Sequence, residues 1–493
     1  MSEFASEEGK LDRTLGPLML WGLGVGYVIS GMYFGWNLGL AEGGTYGLAI
    51  ATFFIIIMYV TFTFSYTELA CAIPRAGGAF DYSKRAFGPQ WGFLGGMAQN
   101  IEFIFAPPAI AFAIGAYLHI HFPEFPTNSI AIGAFLLFTG INIIGVRIAA
   151  MFELVITIIA VVEILIFAGV ALPHFEAANL SVNAWPNGWE GVFRSIPFAI
   201  WFFLAIEGVA NVAEETINPQ RNVLIGFGSA ILTLVLLCVL TFSSAVGVGG
   251  WENVVYEPGS KEASDSPLPL AIKSIAGSSE FLYHLIVWVG LFGLVASFHG
   301  IILAAGRATF EFGRVGYAPK ILGSTHKKFK TPAFALFMNM VIGIGAVLTD
   351  RTGDIITLAC FGALSLYVIS MAAFFKLRME EPDLERPFKV FAYPLAPGLA
   401  LFIATVSLIA ISYYNQGLAL VFFGIMFGSS LVFTFFHKDS SSSKTEYNLA
   451  LSLPDQKFHM TLDGAEAANL KLANPSSPTG KNTDLGKPGS GRQ

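Results

Sequence analysis

Three glutamates stand inside apolar runs where a carboxylate is costly to place. Glu102 lies in "GGMAQNIEFIFAPPAIAF", Glu163 in "ITIIAVVEILIFAGVA" and Glu207 in "AIWFFLAIEGVANVAEETINPQRN". A charged side chain at the centre of a bilayer costs on the order of 3 kcal/mol on insertion scales, so it usually faces a cavity or a partner. Glu207 follows Arg194 by 13 residues, roughly 20 Å of helix. Glu102 follows Trp91 by 11 residues, roughly 17 Å. Both fall near the midplane, with Gln99 and Asn100 just before Glu102 and Pro107-Pro108 after it; Glu163 falls nearer the outer face. No cation of similar number faces them at that depth. A buried carboxylate without a counter-charge either binds a cation or takes up a proton. That chemistry suits a cationic substrate, proton coupling, or both, with Glu102, Glu163 and Glu207 as the coupling candidates. The competing reading for each is a protonated carboxyl hydrogen-bonded to a backbone carbonyl, serving packing alone.

An ammonium is also attracted to aromatic faces. Tyr33, Trp36, Phe103, Trp201, Phe202 and Phe203 are available, although any one ring among so many also suits a core or lipid-facing place. Ser297 and His299 are further candidates to line such a cavity, with a packing role for His299 as the alternative. Other carboxylates read as helix ends. Glu153 lies close to Arg147, Glu311 has Arg307 and Arg314 at helical spacing, and Glu214 and Glu215 lie within reach of Arg221.

The elements that hold these residues carry a second signal. The first apolar segment, "PLMLWGLGVGYVISGMYFGWNLGL", is crowded with Gly22, Gly24, Gly26, Gly31 and Gly35, with Ser30 beside Gly31. The sixth repeats the theme with Ala205, Glu207, Gly208 and Ala210. Two weakened segments, five apart, point to discontinuous helices in an inverted five-helix repeat. The freed amides and carbonyls of such breaks are tolerated only where they line a cavity. Small residues also permit close helix packing, which is the plainer reading of either segment alone.

Composition sets the class. The chain has 493 residues, 54% hydrophobic and 13% charged, with 46 phenylalanines and a mean hydropathy of +0.63. Soluble domains carry about 25% charged residues, so this is an all-α polytopic membrane protein. Runs of about 20 apolar residues predict twelve spans near 17–40, 45–71, 89–120, 128–146, 148–172, 192–216, 222–249, 281–312, 332–350, 354–377, 394–414 and 417–437. Basic residues alternate between connections: Lys10 and Arg13, then Arg75, Lys84 and Arg85, Arg147, Arg314 to Lys330, and Lys376 to Lys389 lie on one side. The positive-inside rule puts that side, and both termini, in the cytoplasm. The N-terminus lacks a signal-peptide pattern, so the first span is expected to act as its own insertion signal. Cys71, Cys238 and Cys360 read as buried thiols. No metal-ligand cluster or cofactor motif occurs. Spreading basic residues along one membrane face gives no nucleic-acid surface, and nothing in the sequence sets an oligomeric state. The organisation read from these signals is a cytoplasmic stretch 1–15, a first repeat 16–180, a second repeat 181–378, two further spans in 379–437, and a polar tail 438–493 whose composition predicts disorder.

Three stretches, "PRAGGAFDYSKRAFGPQWGFLGG", "GVANVAEETINPQRNVLIG" and "GRATFEFGRVGYAPKILGSTHKKFKTP", strongly resemble the amino acid–polyamine–organocation permeases. The resemblance covers about residues 15–435. It implies the leucine-transporter-type fold, a 5+5 inverted repeat with broken helices 1 and 6, and alternating access around a central site. "SGMYFGWNLGLAEGGTYG" and "IEFIFAPPAIAFAIGAYL" further resemble bacterial ethanolamine permeases, which implies a bacterial inner-membrane carrier. Where amino-acid members place Gly-Ser/Thr-Gly to receive a carboxylate, this chain has Ile29-Ser30-Gly31. A β-branched residue there crowds such a cradle, and Ala205 stands where the sixth segment typically has glycine. A substrate with an ammonium and no carboxylate fits better. On this reading Glu102 or Glu207 supplies the counter-charge, Ser30 or Asn100 meets the hydroxyl of ethanolamine, and Ile29, Gly31, Tyr33, Phe103, Trp201, Phe202, Ala205 and Ser297 complete the site. Some proton-coupled relatives carry a lysine on the fifth segment; an ungapped alignment puts Ala160 there. Coupling would then fall to a glutamate and H+, or be replaced by uniport, in which an entering cation gains about 2.3 kcal/mol per 100 mV.

The runner-up is an amino-acid or polyamine carrier of the same fold, and a transporter-like sensor is a third reading. No GxSxG, HExxH or phosphate-loop pattern suggests an enzyme.

Overall fold

The computed structural model describes residues 13–75, 77–144, 149–276 and 280–437. Lys10, Arg147 and the polar tail from 438 onward lie outside the described residues. Within them the ordered backbone is helical, apart from two isolated bridges, Leu15 to Thr216 and Tyr256 to Ala263. The described residues from 13 to 433 form one compact unit.

The first apolar segment forms α1 (Pro17–Val28), α2 (Ser30–Tyr33) and the start of α3 (Trp36–Ala72), which runs on through the second segment. Gly44, at φ +63° inside α3, supplies the positive-φ kink that separates the helix of the first segment from that of the second. α4 (Ala79–Phe87) is a short amphipathic connection, followed by α5 (Pro89–His119), α6 (Thr127–Ile144) and α7 (Ala149–Ala171). α8 (Gly188–Arg194) and α9 (Ile196–Trp201) lead into a 3₁₀ stretch, Ile206–Glu215. Next come α10 (Pro219–Gly249), α11 (Trp251–Val255), α12 (Pro267–Ala276) and α13 (Glu280–Arg314). The chain closes with α14 (Ala333–Val347), α15 (Thr352–Glu380), α16 (Leu395–Tyr414) and α17 (Gln416–His437).

Among the described residues, ten helical stretches are long and apolar enough to cross a membrane, and Pro17–Val28 and Ala333–Val347 are shorter apolar helices. Burial sorts them. Apart from half-buried Phe198, Glu214 and Glu215, the stretch Ile196–Glu215 is buried, and α5 and α15 are mostly so, whereas α17 is mostly exposed. The apolar residues of α17 therefore suit lipid, and α5 forms the axis, packed against α15 and α13. Cys71, Cys238 and Cys360 are free and buried.

The two ends of the bundle differ. At the end carrying the basic connections, the Glu68 carboxylate receives Arg378 at 2.7 Å and Arg386 at 3.3 Å. Glu68 also accepts the Val390 amide at 2.8 Å. Arg85 binds Glu381 with its Nε donating at 3.0 Å, and Arg307 binds Glu215 at 2.9 Å. One expectation holds here, a salt-bridged Glu311, and one, the Arg221 partner of Glu215, is corrected. Arg314 does pair with Glu311, at 2.8 Å, but Arg307 reaches across to Glu215 instead. Glu215 in turn is held by α13 and not by Arg221, because the 3₁₀ stretch presents its end to that helix. The opposite end, formed by the alternate connections, holds a cavity of about 860 Å³.

Candidate functional site

The sixth segment is broken by its backbone. α9 ends at Trp201, residues 202–205 form a turn, and the chain resumes as a 3₁₀ stretch at Ile206. Ala205 sits in the left-handed region at φ +75°, a conformation costing an L-residue roughly 1–2 kcal/mol. A 3₁₀ ladder and a left-handed residue free backbone groups that a continuous helix would pair. One is satisfied from outside the segment: the Ala205 amide donates to Glu102 Oε1 at 3.1 Å. Glu102, on the axial helix α5, thus caps the break of its neighbour.

The first segment breaks differently. Ile29 keeps right-handed helical angles, and its amide donates to Val25 at 2.8 Å, so the backbone does not leave the helix at Ile29-Ser30-Gly31. It leaves at Phe34, which is extended, and Gly35, at φ +86°. The interruption after Val28 is only a shift in the hydrogen-bond ladder between α1 and α2. Gly31 serves close approach: a Cβ there would run into the Trp201 carbonyl and lie 3.0 Å from the Phe202 Cα. The two breaks are therefore in contact, Gly31 against Trp201 and Phe202. The Phe34 and Trp201 rings meet edge-on at 5.4 Å, and Trp36 stacks on Phe202 at 5.7 Å.

Glu207 is buried on the 3₁₀ side of the break and accepts the Tyr367 hydroxyl at 2.9 Å on Oε2. That hydroxyl lies 3.1 Å from the Tyr59 hydroxyl. Glu102 and Glu207 lie within hydrogen-bonding reach of each other. The oxygens not engaged elsewhere, Glu102 Oε2 and Glu207 Oε1, have no other partner, and neither do buried Gln99 Nε2 and Trp201 Nε1. No lysine or arginine is fully buried among the described residues, and the buried His299 is taken by Glu153. Two carboxyl groups this close cannot both be ionised in a dry interior unless a cation joins them; otherwise they share a proton. Such a pair can be completed by protons or by another positive charge.

The remaining predicted residues fall into three groups. Ser30, Ser297, Tyr33, Phe103 and Ala205 border the breaks. The Ser30 and Ser297 hydroxyls are 2.8 Å apart, Ser297 donates to the Tyr27 carbonyl at 2.6 Å, and Phe103 packs by Gly208. Tyr33 donates to the Ala160 carbonyl at 2.9 Å, beside Glu163, whose two oxygens accept no hydrogen bond from the described residues. Asn100 points elsewhere. It stands two residues from Glu102, about 200° around the helix, and its Nδ2 donates to Gly96 while its Oδ1 accepts from Thr309 at 2.8 Å. It therefore joins a packing network with Asn339 and is not free to meet a substrate hydroxyl.

Glu153 is a correction. It is not an inner-end charge: its side chain is 2% exposed, and Oε2 meets His299 Nδ1 at 3.1 Å. Proximity to the start of α7 suggested solvent, but α1 and α13 cover that turn. Tyr367 and Tyr59 carry no expectation from the sequence, and Gln99, noted there beside Glu102, has no role assigned to it. Gln99 precedes Glu102 by one helical turn and was legible on that ground; the tyrosines carry no local signal in an aromatic-rich chain.

The cavity at the open end descends to Pro197 and Thr357, one turn from Trp201 and Cys360 respectively. Its lining includes Glu42, Glu257, Glu262, Asp265, Asp350 and Asp354 against Arg194 and His119. Burial pushes Asp265 up to about 6 and also raises Glu42. A funnel lined mainly by one sign of charge concentrates the opposite ion.

Comparison with known proteins gives the family. Residues 15–453 match the model of a family described as amino acid permease. The chain is 27% identical to an uncharacterized transporter of Rhizobium meliloti, over 79% of this chain and 83% of that protein. It is 26% identical to a methylthioribose transporter of Bacillus subtilis and 26% identical to a branched-chain amino acid permease of the same organism. Each of these covers 80% of this chain and 87% of the relative.

Proposed function

This chain belongs to the amino acid permease family, and on that premise we propose that it imports ethanolamine or a closely related small amine by alternating access. As a member of that family it is a multi-pass membrane transporter of a small organic substrate. The substrate class is our inference. The observation that carries it is the Glu102–Glu207 pair at the broken sixth segment, with two carboxyl oxygens unengaged and no fully buried lysine or arginine to neutralise them among the described residues. An ammonium bridging those oxygens satisfies the charge, and Trp201, Phe202 and Phe203 supply ring faces. A substrate carboxylate would meet like charge, and the helical Ile29 leaves it a poor amide cradle. The acidic funnel above favours the same sign of ligand.

In this reading the twelve apolar segments are twelve crossings, those in 16–180 and 181–378 are the inverted repeats, and the ion-paired end faces the cytoplasm of a bacterium. The hydroxyl contact falls to Ser30 or Ser297, now that Asn100 is committed elsewhere. Glu163 beside Tyr33 remains a protonatable group of the outer half.

Relatives named for branched-chain and aromatic amino acids support a second reading, an amino-acid carrier of the same fold. Another relative is named as a methylthioribose transporter, a sugar with neither amino nor carboxyl group, so likeness alone does not fix which charged groups the substrate carries. Uptake of radiolabelled ethanolamine into proteoliposomes, with pH and sodium gradients imposed separately, decides between the readings. Ethanolamine should accumulate and resist competition by leucine, phenylalanine and glutamate. Competition by amino acids without ethanolamine transport replaces the first reading with the second.

A further inference from the structure

The buried acid–base pair on α7 and α13 is not used by the central site. Glu153 Oε2 meets His299 Nδ1 at 3.1 Å with both side chains at most 2% exposed, and Glu153 Oε1 and His299 Nε2 have no partner among the described residues. The Glu153 carboxyl fills a slot left by two glycines. A Cβ on Gly26 of α1 would collide with Oε1, and one on Gly300 of α13 would lie 2.7 Å from it. Thr157, one turn along α7, donates to the Gly22 carbonyl at 3.1 Å. α1 is thus laid along α7 by exactly the surface that covers the carboxyl.

The surroundings fix the charge state that the slot tolerates. Phe152 and Phe138 stand edge-on to the imidazole at 5.4 and 6.3 Å, and Asn142 donates to the His299 backbone carbonyl at 3.4 Å. The Tyr27 phenol of α1 packs on Gly300. The nearby ions, Arg307 of α13 and Glu215 of the 3₁₀ stretch, neutralise each other at 2.9 Å. Glu153 and His299 therefore balance only with one proton between them, as carboxylate with imidazolium or as carboxyl with imidazole. Removing it leaves a lone carboxylate in an apolar slot, which requires water. Water reaches Oε1 when α1 moves off α7 and α13. α1 is also the helix that leads into the break facing the substrate pair.

We propose that Glu153 and His299 form the proton-binding site that couples transport to a proton gradient. The site holds one proton while α1 is packed down, and gives it to water when α1 separates at the ion-paired end. Binding equilibria linked through one moving helix are reciprocal, so proton occupancy favours the packed state and the packed state favours protonation. This inference rests on the transporter reading above, but not on the choice of ethanolamine.

The test uses wild-type protein and Glu153→Gln in proteoliposomes. The probe is labelled ethanolamine or, should that not be carried, whichever amino acid wild type exchanges. Absence of ethanolamine exchange in wild type counts against the substrate reading alone. For the coupling site, Glu153→Gln should keep substrate–substrate exchange and lose accumulation driven by a pH gradient by about tenfold or more. Undiminished pH-driven accumulation overturns the proposal, as does a Glu153→Gln defect confined to a sodium gradient. If exchange is lost as well, the pH profile of exchange in His299→Gln decides: a displaced profile supports the site, and an unmoved one overturns it.

Discussion

Glu102–Glu207 and Glu153–His299 are both buried acid pairs between helices, yet they solve the burial problem in opposite ways. The inner pair joins an acid to a base and is neutral with one proton of its own. The central pair joins two acids and reaches neutrality only with something added. A single proton neutralises the first pair, whereas the second needs a further proton or a cation. On the two proposals above, that difference separates a group that titrates with the packing of a helix from a group that receives a ligand, and it follows from partner identity, not from depth.

The largest expected effect breaks the central pair. Glu207→Gln leaves Glu102 as a single carboxyl and removes the bridging charge. Uptake should fall by about 100-fold, equivalent to roughly 3 kcal/mol, measured as initial rates in proteoliposomes. Glu102→Gln should do the same while also weakening the cap on Ala205. If both variants transport normally, the ligand-receiving role of this pair is wrong.

Gly26→Ala sharpens the contrast from the other side. Its Cβ collides with Glu153 and Thr157, and overpacking of this kind costs about 1–3 kcal/mol. It should lower the midpoint of thermal unfolding in detergent without altering competition between substrates. A change in selectivity would mean that the two sites are not separable.

Tyr367→Phe removes the donor to Glu207 Oε2 while leaving the ring. The lost hydrogen bond to a charged or shared-proton carboxyl is worth about 1.5–3 kcal/mol, so the half-saturation concentration should rise by roughly tenfold or more, with folding retained.

A smaller effect concerns the funnel. Asp265, raised to about 6, is ionised at pH 7 and loses its charge as pH falls through that value. Its folded value lies above the ordinary aspartate range, so the negative charge is present above about pH 6 and absent well below it. With membrane potential held constant, the half-saturation concentration for an amine should rise roughly twofold from pH 7 to pH 5 through this group. Asp265→Asn should remove that component, and salt should mimic it.

How much of this was legible depended on whether a signal was local. Gly31 and Gly35 announced a weak first segment, and Ala205, Glu207 and Gly208 a weak sixth, because small residues and a charge in an apolar run are visible without tertiary contacts. The exact place of the first break was not, since Ile29 can be helical or unwound; contact of Gly31 with Trp201, and the extended Phe34 before Gly35, put it further along. Asn100 and Glu102 looked equivalent in the sequence, and only the helix face separated them. Glu153 was misplaced because distance from a helix end predicts exposure only when nothing packs over that end.

The sequence by itself determined an apolar, many-segment helical chain with carboxylates inside its apolar runs, because hydropathy and charge are properties of single residues and their spacing. Tertiary structure decided which carboxylates have which partners. It set Glu102 on the amide of Ala205, Glu207 on Tyr367 and Glu153 on His299, all contacts between residues more than 100 positions apart. What a buried acid does depends on the donor, base or second acid beside it. Helix packing, and no local pattern, chooses that neighbour.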